Sequence, residues 1–277
     1  MFGLVAVHDA YLYRKNTTPR SKYLAEHNVY PLKPSYLISS STVSIMSGSS
    51  SPIILVLGAG PNIGQGVARA FAAKGYQVAL ASRRANEAHN AGNEIYIQSD
   101  FSDPNSIVNV FAKVKATLGI PSVVVYNAGA ATRNPPNDPL SLSLADFNHD
   151  LTLNTVSPFV AAQQAAIGFA QLPNSASRTF IYTGNITNTT IIPPLMDLGV
   201  GKSATAHIIQ SAAAAYKNRG FKFYYGDERN ADGTAVYSNI DADAHGKLYV
   251  ELAEGKTQGP WQQTFVKGVG YKDFPVA

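Results

Sequence analysis

The chain of 277 residues contains no cysteine, which excludes disulfide bonds, thiol catalysis and thiolate metal sites. Charged residues make up only 14% of the chain, against roughly 25% in an average globular protein. No apolar run approaches the ~18 residues of a membrane-spanning helix, and no His, Asp and Glu residues have metal-ligand spacing. The hydrophobic share of 45% still supports a core, so we expect a folded, cytoplasmic protein without a metal or membrane partner.

The small positive charge is concentrated near the N-terminus. The net charge is +4, and residues 1–45 account for +3 of it. A nucleic-acid-binding domain carries its positive charge on the folded part, so no nucleic-acid partner is expected. Residues 1–51 lack periodicity and end in a Gly/Ser-rich run, which predicts a flexible or non-native extension. Their basic, acid-poor composition leaves organellar targeting open as an alternative.

From Pro52 onward, short apolar runs alternate with helix-length amphipathic segments. Strands are predicted at 53–57, 77–81, 94–98, 122–126, 179–183, 221–225 and 264–267. Helices are predicted at 63–74, 103–118, 144–171, 200–217 and 245–258. This alternation predicts one α/β domain over residues 52–277, a doubly wound Rossmann-type parallel sheet of about seven strands with helices on both faces.

A glycine cluster lies between the first strand and the first helix. The turn contains Gly58, Gly60 and Gly64, with Asn62 and Ile63 just before the last glycine. Glycines there allow a tight turn and let the backbone approach a pyrophosphate at the helix N-terminus. The turn predicts a dinucleotide-binding site.

The second strand ends at Ser82, Arg83 and Arg84, with no acidic residue. In units that bind NAD, an Asp or Glu at this end commonly bonds the ribose 2′-hydroxyl. Two arginines and a hydroxyl suit a 2′-phosphate instead, so the expected cofactor is NADP(H).

These motifs resemble those of the short-chain dehydrogenase/reductase family over nearly all of residues 52–226. The resemblance implies that Asp100, beside Phe101, contacts the adenine, and that Asn127-Ala128-Gly129 lies beside the cofactor. It also implies that Asn154 supports the active-site lysine through water.

The resemblance breaks at the catalytic pair. The family places a tyrosine four residues before a lysine, so that the lysine holds the ribose and lowers the pKa of the phenol. Lys202 fits the lysine, but Leu198 occupies the tyrosine position. By spacing, Asn185 takes the place of the family's serine, although Thr183 or Thr187 could supply a hydroxyl if the loop is shifted. Lys202, Asn154, Asn185 and Thr183 are therefore the candidate catalytic residues.

The substrate side follows no familiar pattern. Asp227, Glu228 and Arg229 replace the family's proline-glycine turn and could form a polar rim. Tyr225 or Tyr237 could replace the missing phenol. The pocket loops, 130–139 and 188–196, indicate no particular small-molecule substrate.

The sequence thus predicts an NADP(H)-dependent oxidoreductase with an atypical active site, in which a substrate such as an iminium ion needs no enzyme acid. The alternative is a non-redox protein of the same fold, either a regulatory NADPH-binding module or a cyclase, isomerase or lyase. The Ala-rich stretch 211–216 and the long helix before it resemble the family's dimer or tetramer interface, so a homo-oligomer is expected.

Overall fold

The structure is a computed structural model that describes residues 51–274. The extension was predicted for residues 1–51, and residues 1–50 lie outside the part of the chain that the structure describes. Within them, the strands are β1 (Ile53–Leu57), β2 (Gln77–Ser82), β3 (Glu94–Gln98), β4 (Val123–Tyr126), β5 (Thr179–Thr183), β6 (Lys222–Arg229), β7 (Gln262–Val266) and β8 (Gly270–Tyr271). The helices are α1 (Ile63–Ala72), α2 (Pro104–Thr117), α3 (Leu144–Leu151), α4 (Ser157–Phe169), α5 (Met196–Tyr216) and α6 (Ala242–Glu254).

All eight strands form one sheet in the order β3-β2-β1-β4-β5-β6-β7-β8. Strands β1 to β7 are parallel, and only the two-residue β8, which was not predicted, runs antiparallel to its neighbour β7. The predicted Rossmann-type α/β fold is confirmed. The chain leaves β1 toward β2 and β3 on one side, and returns to β4 on the other side. This reversal places a crevice between β1 and β4.

Alternating side chains of the strands divide the core into two layers. In β1, Leu55 and Leu57 face one layer, whereas Ile54 and Val56 face the other. The first layer includes buried residues of α2, α4 and α5, and the second includes those of α1 and α6. A strand buried on both faces has no polar side to show, which explains its continuous apolar sequence.

Three of the predicted elements differ in detail from the structure. The helix predicted at 144–171 is divided into α3 and α4 by a π-helical turn at Thr152–Val156. The strand predicted at 221–225 continues to Arg229, because its last residues pair with β7 and the charges of Asp227 and Arg229 are buried as an ion pair. The helix expected from residue 200 also begins earlier, at Met196.

None of the helices within residues 51–274 is long and apolar enough to cross a bilayer. Over the same residues, no three His, Asp or Glu side chains are grouped as a metal site requires.

Candidate functional site

Two turns predicted to contact the cofactor meet in the crevice between β1 and β4. Ligands of open parallel sheets bind outside the carboxyl ends of the strands at such a reversal. The Nδ2 group of Asn127 donates a hydrogen bond to the Gly58 carbonyl at 2.8 Å. The backbone N–H of Asn127 also donates to the Leu57 carbonyl at 2.7 Å. The glycine turn and the turn at residues 127–129 therefore form one surface.

The glycine turn has two positions that only glycine can occupy and one that is open. Gly58 has a φ of +98°, and a Cβ there would lie 2.4 Å from the backbone nitrogen of Ala128. A Cβ on Gly60 would meet no atom within 4 Å. A Cβ on Gly64 would lie 2.7 Å from the Gly58 carbonyl oxygen. Gly58 and Gly64 thus close the turn, while Gly60 leaves free space above it.

Helix α1 begins at Ile63 without a side-chain cap. Asn62 occupies the N-cap position, but its Nδ2 group donates to the Ile240 carbonyl at 3.2 Å instead of its oxygen capping the helix. First-turn N–H groups have no intrahelical acceptors, so this end suits a phosphate. The turn and the helix end together fit the pyrophosphate of a dinucleotide.

Side chains suited to an adenosine phosphate lie at the end of β2. Arg83 and Arg84 are exposed, and Ser82 is partly buried beside them. Asp100 is exposed nearby, and its pKa is lowered by hydrogen bonds from Ser102, with a smaller contribution from the positive charge of Arg83. This end of the crevice carries the positive charge that a 2′-phosphate needs.

Phe101 differs from Asp100 in its exposure. Its ring is buried and lies 6.1 Å from that of Tyr126, measured between centroids. Its carbonyl accepts a hydrogen bond from the Ser157 hydroxyl at 2.6 Å. Phe101 therefore packs beneath the crevice and presents no side chain to its open surface.

Lys202 of α5 reaches the carboxyl end of β5. Its Nζ donates to the Thr183 carbonyl at 2.9 Å and lies 4.4 Å from the centroid of the Tyr182 ring. Burial lowers the pKa of Lys202 to about 7, and the charge of Asp227 opposes that shift. Lys202 is thus a buried amine that changes charge near neutral pH.

Asn154 lies in the π-helical turn and anchors the backbone after β4. Its side-chain amide accepts a hydrogen bond from the Ala130 N–H at 3.3 Å and donates to the Ala130 carbonyl at 2.7 Å. Its own carbonyl accepts bonds from the Thr205 hydroxyl at 2.5 Å and the Tyr182 hydroxyl at 3.2 Å. The Tyr182 side chain thus contacts the Asn154 carbonyl through its hydroxyl and Lys202 through its ring face.

Leu198 lies one turn before Lys202 in α5, so a hydrocarbon occupies the position predicted for the missing phenol. Asn185 follows β5, and its Oδ1 accepts bonds from the N–H and the hydroxyl of Thr187 at 3.0 and 2.6 Å. These bonds fix the amide with its Oδ1 toward Thr187. Within residues 51–274, Asn185 Nδ2 donates no hydrogen bond.

Thr183 does not supply the hydroxyl that the sequence left open. Adjacent residues of a strand face opposite sides of the sheet, and Tyr182 faces Lys202. The Thr183 hydroxyl therefore faces α6, where it accepts a hydrogen bond from the Tyr249 phenol at 3.0 Å. Only the Thr183 carbonyl reaches Lys202, and the Thr187 hydroxyl is bonded to Asn185.

Neither tyrosine suggested as a substitute phenol is suited to that role. The Tyr225 hydroxyl donates to the Asn185 carbonyl at 2.8 Å and accepts from the Asn185 N–H at 3.1 Å. Burial holds the pKa of Tyr225 well above its usual value. A Cβ on Gly184 would lie 2.0 Å from the Tyr225 ring, so the ring fills that space. Tyr237 is 68% exposed in a turn beyond β6.

The polar rim proposed for residues 227–229 is buried instead. Asp227 and Arg229 form an ion pair at 2.6 Å. Glu228 faces the other side, where its carboxylate accepts a hydrogen bond from the Asp241 N–H at 2.8 Å. Because each charge has a partner, the three residues continue β6 rather than forming a loop.

A buried pair of carboxyl groups was not anticipated. Asp197 directly precedes Leu198 and accepts a hydrogen bond from the Thr132 N–H at 2.9 Å. Burial, together with the neighbouring Asp150, raises the pKa of Asp197, so the pair retains a proton to a higher pH than a free carboxyl group. No sequence signal brings the two together, because they lie on different helices.

One side chain links the two pocket loops. Asn134 is 5% exposed, and its Nδ2 group donates to the carbonyls of Pro135 and Pro193, both at 2.8 Å. Its Oδ1 accepts a bond from the Met196 N–H at 3.3 Å. Loop 130–139 is thereby joined to loop 188–196.

The fold and the crevice define a Rossmann-type α/β protein. The family model described as enoyl-(acyl carrier protein) reductase matches residues 58–224. The short chain dehydrogenase/reductase dmxR12 of Cryptosporiopsis sp. (strain 8999) is 49% identical over 237 residues, which cover 82% of this chain and 96% of that protein.

Solved structures agree on the fold. A 3-oxoacyl-(acyl-carrier protein) reductase from Brucella melitensis has a TM-score of 0.66 at 22% identity, over 74% of this chain and 90% of that one. BdcA in complex with NADPH has a TM-score of 0.62 at 16% identity, over 81% and 97% of the two chains. This chain belongs to the short-chain dehydrogenase/reductase family, an oxidoreductase family, as the sequence predicted.

Proposed function

We propose that this chain is an NADP(H)-dependent oxidoreductase that works without the family's tyrosine and acts on a small molecule. The observation that carries the proposal is the intact cofactor side of the crevice, with Lys202 buried at one end and Arg83 and Arg84 exposed at the other. Bound NADPH would supply the hydride. The glycine turn and Asn127 would hold its backbone, Lys202 its nicotinamide ribose, and Ser82 with the arginines its 2′-phosphate. The relative BdcA, solved with NADPH, supports this choice of cofactor.

Reversing one arginine charge tests the choice of cofactor. We expect Arg83→Glu to weaken NADPH binding about 30-fold, corresponding to roughly 2 kcal/mol of lost charge-assisted bonding and added repulsion. NADH lacks the 2′-phosphate, so its dissociation constant should change less than about threefold. Both constants are measured by fluorescence titration of the full chain.

Lys247→Glu is the matched control, because it makes the same charge change at an exposed position of α6. Equal losses of NADPH and NADH affinity in Arg83→Glu would overturn the assignment to the 2′-phosphate.

Leu198 favours a second candidate, a protein that binds NADPH without redox turnover. A hydrocarbon cannot donate a proton, and losing a positioned acid costs typically 10²–10⁴-fold in rate. An assay of NADPH oxidation with carbonyl and iminium compounds separates the two candidates. Oxidation of NADPH with either compound supports the oxidoreductase. Tight binding of NADPH without any oxidation supports the protein that binds NADPH without redox turnover.

We further propose that a second copy of the chain covers the outer face of α4 and α5. This face forms an apolar groove in which Phe159 and Ile167 are 49% and 53% exposed. A charge in such an interface is costly, so we expect Ile167→Glu to give a single-chain mass of 29.5 kDa by light scattering, where the wild type gives a multiple of it. Val269→Glu, in the exposed β7–β8 turn, should leave the mass unchanged. A wild type of single-chain mass would contradict the proposal.

A further inference from the structure

The end of β6 holds a buried ion pair close to the cofactor crevice. Asp227 is 0% exposed, and its Oδ2 accepts a hydrogen bond from Arg229 Nε at 2.8 Å and lies 2.6 Å from Arg229 Nη2 in the ion pair. Arg229 also donates from Nη1 to the Gly233 carbonyl at 3.1 Å. This fork fixes the Asp227 carboxylate in one orientation.

The other oxygen of Asp227 faces the Lys202 side of the sheet. A Cβ on Gly226 would touch the Tyr249 ring of α6, so the next residue, Asp227, faces the opposite layer. In the sheet, Gly226 pairs with Thr183, and the Thr183 carbonyl accepts a hydrogen bond from the Lys202 ammonium. Asp227 Oδ1 is buried there, and among residues 51–274 it has no hydrogen-bond partner.

Lys202 has N–H donors left for the crevice, whereas Asp227 acts on it through its charge, since no hydrogen bond joins the two side chains among residues 51–274. Its Nζ donates one hydrogen bond, to Thr183, so two of its three N–H groups remain. Gly129 is exposed at the crevice, and a Cβ on it would lie 3.9 Å from Lys202 Nζ. The ammonium thus lies between the Asp227 side of the sheet and the open crevice.

We propose that Lys202 itself donates the proton that the family's tyrosine would supply, and that Asp227, held by Arg229, is the positioning residue that keeps the ammonium charged. This inference rests on the proposed oxidoreductase function. In a carbonyl reduction the substrate carbon gains the hydride from NADPH, and the π electron pair moves onto oxygen. That oxygen takes a proton from Lys202, and the neutral amine regains one from solvent.

The titratable groups around Lys202 are three tyrosines and the Asp227 carboxyl group, whose pKa is raised by burial and lowered by Arg229. Tyr182, Tyr225 and Tyr249 face this cluster from β5, β6 and α6, and burial raises the pKa of each phenol. Burial lowers the pKa of Lys202 to about 7. Asp227 raises the pKa of Lys202, and Arg229 lowers the pKa of Asp227 and so keeps that carboxylate ionised. Removing either residue should therefore lower the pKa of Lys202.

The first experiment titrates Lys202 by NMR in the full chain labelled with [13Cε]lysine, with its signal assigned by its loss in Lys202→Arg. We expect Asp227→Asn to move the titration of Lys202 to lower pH. Arg229→Gln, which removes the partner that keeps Asp227 ionised, should move it in the same direction. Either variant alone decides the direction if the other fails to fold. Titration at an unchanged pH in the folded variants would overturn the role of Asp227.

The second experiment compares two probes with NADPH. Ethyl benzoylformate, an activated ketone, needs a proton, whereas an N-methyl-3,4-dihydroisoquinolinium ion accepts hydride without one. We expect the ketone rate to fall as pH rises through the Lys202 titration, and to be at least tenfold lower at pH 8 in Asp227→Asn. The iminium rate should change less than about twofold over the same rise in pH, and less than about twofold between the wild type and Asp227→Asn.

The possible failures are distinguishable. Equal pH profiles for the ketone and the iminium ion, or reduction of the iminium ion alone, would overturn Lys202 as the donor and leave the oxidoreductase standing. NADPH binding without reduction of either probe would overturn both proposals. Absence of NADPH binding would remove the proposed function, while the NMR titration would still decide whether Asp227 sets the charge of Lys202.

Discussion

Gly58→Ala is expected to lower the free energy of unfolding by about 3 kcal/mol or more and to abolish NADPH binding. Alanine is strained at a φ of +98°, and its Cβ would lie 2.4 Å from the Ala128 nitrogen. The obstructing atoms are backbone, so the crevice would have to widen and the bond from Asn127 to Gly58 would be lost. Urea unfolding followed by circular dichroism gives the stability, and fluorescence titration gives the affinity.

Gly60→Ala is the matched control in the same turn. Its Cβ would meet no protein atom within 4 Å, so stability should change by less than about 1 kcal/mol. NADPH affinity should nevertheless fall at least tenfold, because the methyl group occupies the space needed by a pyrophosphate. Unimpaired binding by Gly60→Ala would show that the cofactor does not lie over this turn.

Lys202→Met is expected to stabilise the fold at pH 7 while weakening NADPH binding. The pKa of Lys202 falls to about 7 on folding from its ordinary value of 10.5. Between these values the unfolded chain binds more protons, so wild-type stability rises with pH. Methionine removes the cost of burying the charge but loses the bond to Thr183, which leaves a gain of roughly 2 kcal/mol.

The pH dependence distinguishes this effect from simple repacking. The advantage of Lys202→Met should be largest near pH 7 and should shrink toward pH 10, as measured by urea unfolding across that range. In Lys202→Met, part of the rise of stability with pH should remain, because burial also lowers the pKa of Lys222, to about 8. Lys247→Met, at an exposed position, should leave stability unchanged at every pH. An advantage independent of pH would contradict the low pKa of Lys202.

The parts of the fold that the sequence predicted are those with a local signal. Strands buried on both faces are continuous apolar runs, and the glycine turn follows directly from the conformations that it needs. The π-helical turn was missed because one inserted residue barely changes the helical periodicity. That turn places Asn154 against Ala130, so a detail invisible to periodicity positions a candidate site residue.

The site was predicted less fully than the fold, because its remaining features depend on long-range pairing. Asp227, Glu228 and Arg229 have the composition of a loop, and their partners make them a buried strand. The strand period of two, applied to Tyr182 and Thr183, would have placed the Thr183 hydroxyl away from Lys202. Asp150 and Asp197 are 47 positions apart in the chain, and their contact has no pattern in the sequence.

The hydrogen bonds of Asn134 have a consequence for motion. Since one amide group joins loops 130–139 and 188–196, neither loop can open far without breaking bonds to the other. We therefore expect the two loops to open as one cooperative unit, so that their protected amide protons exchange with solvent with a common free energy of opening. Entry of a substrate and release of a product would then share a single barrier. Asn134, which takes no part in the proposed reaction, would set its height.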